Sequence, residues 1–169
     1  MAISVYVFEE ADYYKQIYNI INQNSGKTVI IITTNKPADI LLNDVFKNNL
    51  KTKNIFIIDT ISKYLGEKKI NQYDNVVYLD DPANLTEIGI TIRLSIEKME
   101  GEKMLIFDSL TTLSLYNSSK NLIRFYNFFF GLSRLNQIQT VLIALASDID
   151  KETLNQIKGL VDEVKTYGK

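Results

Sequence analysis

Short apolar runs recur along this chain, each about as long as one buried strand, and between them the apolar residues switch to helical spacing. The runs are Ile3 to Phe8, Val29 to Ile32, Ile55 to Ile58, Val76 to Leu79, Met104 to Asp108, Val141 to Leu145 and Val161 to Thr166. Most are apolar at nearly every position, which a strand needs when both faces of its sheet are covered, and crossover helices on two faces imply a largely parallel sheet. The expected fold is therefore α/β, a three-layer α-β-α sandwich, with residues 1–169 forming a single domain.

The intervening segments agree. Tyr14, Ile17, Tyr18 and Ile21 keep helical spacing until Asn24-Ser25-Gly26, and Ile40, Leu41, Val45 and Phe46 mark a second helix from Ala38 to Leu50. Asn84 followed by Glu87 resembles a capping box and opens a helix through Leu85, Ile88, Ile92 and Ile96 that stops at Gly101. Further helices are expected from Ser118 to Leu135 and around Lys151 to Lys158, with an irregular polar loop at Gly66, Glu67, Lys68 and Lys69.

Composition narrows the chemistry. The chain has 169 residues and contains neither cysteine nor histidine, so disulfides, thiolate zinc sites and imidazole catalysis are excluded. For metal chemistry, only hard cations held through carboxylates are left. Basic and acidic residues number 19 and 20, for a net charge of −1, and no basic block gives the footprint of a nucleic-acid binder. No apolar run reaches the roughly 20 residues of a membrane span, and the amino terminus lacks a basic-then-apolar leader; the expected compartment is the cytosol.

The run that ends in Asp108 has the most chemical content. It delivers a carboxylate to the carboxyl edge of the sheet, where open α/β folds keep their sites and where a P-loop nucleotidase holds magnesium. Asp108 with Ser109 is therefore a candidate cation site, although a carboxylate there also serves to cap the next turn. Asp59, Asp80 and Asp81 end other strands and either line the same edge or start loops.

A phosphate grip is harder to find. Ser25-Gly26-Lys27-Thr28 follows a helix and enters a strand, the reverse of a Walker A loop, and reads as a helix stop and turn. After the first strand, where the loop belongs, Glu9 and Tyr14 stand at the glycine positions and Lys15 at that of the lysine. No glycine precedes Gly26, and Glu9, Glu10 and Asp12 place negative charge at the helix start, so a triphosphate finds no nest of amides.

Three stretches carry a family resemblance: Val29 to Pro37, Val77 to Ile88, and Leu105 to Leu113 followed by Tyr116-Asn117 and Arg124-Phe125. In these the chain resembles the KaiC/RecA-like ATPase fold, and more narrowly small archaeal domains of that lineage that lack a P-loop and often accompany signalling proteins. The resemblance makes Asp108 the Walker B aspartate. Active relatives carry a glutamate after the second strand to activate water, and here Thr33-Thr34-Asn35 stands instead. An inactive descendant is implied, with no catalytic residue, no cofactor, and Asp108, Ser109 and Lys15 as vestiges of a nucleotide site. The alternative is an ATPase or sensor that binds ATP with magnesium through Asp108 and recruits Lys15 or Lys36.

The helix from Ser118 to Leu135 is apolar nearly all round. Leu122, Phe125, Tyr126, Phe129 and Leu132 form one face, while Ile123, Phe128 and Phe130 lie off it. Either a partner protein or second copy covers these three, or they fill a bulky core. The expected role is a regulatory or protein-interaction module, acting as a homo-oligomer or beside an active paralogue, with no nucleic acid and no membrane.

Overall fold

The computed structural model describes residues 2–9, 13–50, 55–67, 70–147 and 151–167. Glu10, Asp12, Lys68 and Lys69 lie outside these residues. The elements run β1 (Ile3–Phe8), α1 (Tyr14–Gln23), β2 (Thr28–Thr33), α2 (Ala38–Lys47), β3 (Ile55–Asp59), β4 (Val76–Tyr78), α3 (Leu85–Lys98), β5 (Lys103–Asp108), α4 (Leu110–Leu113), α5 (Ser119–Leu135), β6 (Gln139–Leu145), α6 (Lys151–Lys158) and β7 (Glu163–Tyr167). All strand pairings are parallel, in the order β4-β3-β2-β5-β6-β1-β7.

The two-residue period of a strand divides the sheet between two cores. In β2, Val29 and Ile31 face the layer of α1 and α2, together with Met104 and Ile106 of β5 and Val141 and Ile143 of β6. Ile30 and Ile32 face the opposite layer with Leu105 and Phe107, under α3, α5 and α6. Continuous apolar runs follow because both sides of each strand are dry. Each fully buried side chain of this size contributes roughly 1.5–3 kcal/mol.

Because every strand is parallel, their carboxyl ends share one edge. Register sets Thr33 beside both Asp59 and Asp108, and Phe8 beside both Leu145 and Tyr167. The GKT turn is at the other edge: Thr28 opens β2, and Lys27 donates to Gln139 Oε1 at 2.8 Å. α4 is an element that periodicity did not anticipate. It is a single turn whose Thr112 amide is capped by the Ser109 side chain.

α5 buries more than one narrow stripe. Leu122, Phe125, Tyr126, Phe129, Phe130 and Ser133 are all covered, and the rings of Phe125, Tyr126 and Phe129 pack against Phe107 at centroid distances of 6.0, 6.3 and 5.7 Å. Of the two alternatives for the residues off the stripe, Phe130 takes the core: it is 1% exposed, four residues from Tyr126 on the same face, and stacks on that ring. Ile123 is half-buried against the same core, whereas Phe128 is 48% exposed.

Candidate functional site

Asp108 continues the face of Met104 and Ile106, so its side chain enters the layer of α1 and not open solvent. It is 1% exposed. α1 meets it with two tyrosines. Tyr13 Oη donates to Asp108 Oδ1 at 2.7 Å and Tyr14 Oη to Oδ2 at 2.8 Å, so each carboxylate oxygen has its own hydroxyl. Asn35 Nδ2, from the loop after β2, donates to Tyr13 Oη at 2.9 Å. Tyr13 has one proton, and the 3.4 Å separation from Tyr14 Oη is too long to compete for it.

A second tier locks these rings. Lys36 Nζ stands 3.7 Å from the centre of the Tyr14 ring and pairs with Asp44 Oδ2 at 2.7 Å, where Tyr18 Oη also donates at 2.7 Å. Tyr167, Phe8, Tyr13, Tyr14 and Tyr18 form a continuous aromatic row with successive centroid distances of 4.9, 5.9, 4.6 and 6.2 Å. The row covers the carboxyl ends of β7 and β1 and the start of α1.

Burial sets the charges. It pushes Asp108 up to about 6, against the pull of the Tyr13 and Tyr14 hydrogen bonds and the Lys36 charge. Burial, reinforced by the Asp108 charge, raises Tyr13 and Tyr14 far above the ordinary phenol, so both stay protonated donors. Burial would raise Asp44 as well, but hydrogen bonds from Lys36 and Tyr18 prevail and hold its carboxyl below the usual range.

The other predicted residues are employed locally. Ser109 Oγ caps α4 through the Thr112 amide and contacts the Thr111 and Thr112 hydroxyls at 2.9 Å. The Ser109 amide donates to Thr34 Oγ1 at 3.0 Å, and the Thr34 amide donates to the Asp108 carbonyl at 2.7 Å, tying β2 to β5. Lys15 is exposed on the first turn of α1. Asp59 is fully buried and accepts from the amides of Ala38, Ile61 and Ser62 and from Ser62 Oγ, so it closes the start of α2 and the loop after β3. Asp80 pairs with Lys63 at the surface, and Asp81 accepts from the Ala83 amide in its own turn. Among the described residues, no group of three or more acidic side chains is gathered to hold a metal ion.

The role of the tyrosines was not visible in the sequence, where Tyr14 and Tyr18 count only as apolar helix positions. The described first turn of α1 contains no acidic residue, and Tyr13 at its cap makes no side-chain capping bond. Adjacent tyrosines at the position of a phosphate loop, with an aspartate expected across the sheet edge, were the available signal.

Seven parallel strands in this order, with helices on both faces, define a RecA-like three-layer α/β domain. Solved structures share the fold. The uncharacterized protein PH0321 from Pyrococcus horikoshii, solved in complex with an unknown peptide, superposes with a TM-score of 0.73 at 12% identity, over 98% of this chain and 77% of its own. The flagellar accessory protein FlaH from Methanocaldococcus jannaschii gives 0.62 at 15% identity, over 98% and 70%. A third structure, of an ATPase domain, gives 0.61 at 10% identity, over 99% and 69%. No family model matches the sequence, and no curated protein is significantly similar to it.

Proposed function

We propose that this chain is a non-catalytic interaction module built on a RecA-like ATPase scaffold, in which aromatic side chains fill the former nucleotide site. The observation that carries this reading is the pairing of both Asp108 oxygens with the Tyr13 and Tyr14 hydroxyls in a buried position. A magnesium ion bound through Asp108 would have to displace at least one of these hydroxyls and re-expose a carboxylate that the fold keeps dry. The residues present do not fit ATP with magnesium: no glycine precedes Gly26, Thr33-Thr34-Asn35 offers no carboxylate base, and Ser109 is committed to α4.

A polypeptide partner is supported by the peptide bound to PH0321 and by the apolar side chains left at the surface, among them Phe128, Ile90 and Leu94. A cytosolic placement belongs to the same proposal; no helix among the described residues is long and apolar enough to cross a membrane. A second reading, a nucleotide sensor, draws on the persistence of Asp108 at the end of β5 and on the ATPase fold itself. Thermal unfolding with magnesium alone and with ATP plus magnesium separates the two. The module reading predicts coincident curves; a shift of several degrees specific to the nucleotide favours the sensor and overturns the module.

A further inference from the structure

On the face of the sheet opposite the tyrosines, a groove of about 610 Å³ runs between α3 and α5. Its floor exists because α3 has a glycine there: a Cβ on Gly89 would stand 3.0 Å from the Phe128 ring and 3.8 Å from that of Phe125. Ile90 and Phe128 line it while remaining 54% and 48% exposed, and Leu94, one turn beyond Ile90, is 57% exposed. Asn121, Arg124 and Phe128 recur at helical spacing along α5 and, with Asn117 just before that helix, form its other wall.

The charge of the groove is one-sided. Arg124 is the only charged residue among those lining it, and it has neither hydrogen bond nor ion pair with any described residue. The side-chain amide of Asn121, one turn away, is likewise unengaged by the described residues. An unpaired guanidinium with an amide donor beside it suits a carboxylate, and the apolar floor next to it suits an aliphatic or aromatic side chain.

We infer that the α3–α5 groove is a docking site for a segment of another protein that places an aspartate or glutamate on Arg124 and a neighbouring apolar side chain over Gly89 and Phe128. A second copy of this chain fits less well. A two-fold contact through the groove would bring the two Arg124 side chains toward each other, with no acidic residue in the lining to separate them. The inference rests on the interaction-module reading and adds the surface and the chemistry of the partner.

The test is selection of a displayed random dodecapeptide library on the full chain, followed by fluorescence polarisation with an enriched peptide and its copy carrying Asn or Gln for the acid. We expect enriched sequences to hold an acidic residue within a few positions of a large apolar one. Arg124→Gln should weaken the acidic peptide about tenfold while leaving the neutral copy unchanged, because the lost contact is charge-assisted. Phe128→Asp should weaken both peptides. Unchanged melting of Arg124→Gln establishes that the exposed site was altered without unfolding. Failure to enrich any peptide, or equal binding of the acidic peptide to the original chain and to Arg124→Gln, would overturn the inference. Peptides that bind but ignore both substitutions refute the groove and leave the module reading standing. A nucleotide-dependent melting shift refutes the module itself.

Discussion

Replacing Asp108 with Asn isolates the energetic consequence of burying a carboxylate under two tyrosines. The Asp108 carboxyl ionises near pH 3.8 in an unfolded chain, and burial pushes that up to about 6 in the folded one. Below the lower value the group is neutral in both states and burial carries no charge penalty. As pH rises through about 6 the folded state is forced to bury a charge, and stability is lost. The loss is complete above that value and amounts to about 3 kcal/mol on linkage. In Asp108→Asn the same shape is retained, one tyrosine hydroxyl still donates to the amide oxygen while the other turns to accept from the amide nitrogen, and no ionisation occurs. Urea unfolding at pH 4, 6 and 8 is the assay. The other carboxylates titrate alike in both proteins and cancel in the difference. Relative to the original chain, the Asn protein should gain somewhat over 2 kcal/mol, roughly four-fifths of the full effect, between pH 4 and pH 8, mostly between 4 and 6. An unchanged difference across that range would refute the claim that Asp108 is dry.

Three further expectations follow from burial. The hydroxyl of Tyr126 is fully enclosed with no partner among the described residues, so Tyr126→Phe should stabilise the protein by about 1 kcal/mol in the same assay. Phe130→Ala should cost about 3–5 kcal/mol in denaturant unfolding, whereas Phe128→Ala, on a half-exposed ring, should cost about 1 kcal/mol. Asp59→Ala strips the partner from three buried amides and a hydroxyl and should cost about 3 kcal/mol or more, lowering the midpoint without changing the slope.

The sheet could be read from the sequence because its signal is local. A run such as Val29 to Ile32 is apolar at every position when both layers are present, and that pattern needs no knowledge of neighbours. Asp108 was recognisable for the same reason, as the polar end of such a run. Its environment was not, because Tyr13 and Tyr14 lie 95 and 94 residues away in the chain and no periodicity links them to β5. Ser109 as the cap of a one-turn helix was missed because four residues show no helical period. The sequence left Phe130 between core and interface because a helix lying on a broad sheet buries a wider face than a single i, i+3, i+4 stripe, and a position four residues after Tyr126 falls within that face.

The occupation of Asp108 by tyrosine is tested most directly by calorimetric titration of ATP with magnesium into the unaltered protein, with Asp108→Asn as the control. No saturable heat should develop in either protein up to about 1 mM nucleotide. A saturable isotherm in the low micromolar range that vanishes in Asp108→Asn would contradict the account, since the carboxylate would then be open to the ion that its hydroxyl partners are held to exclude.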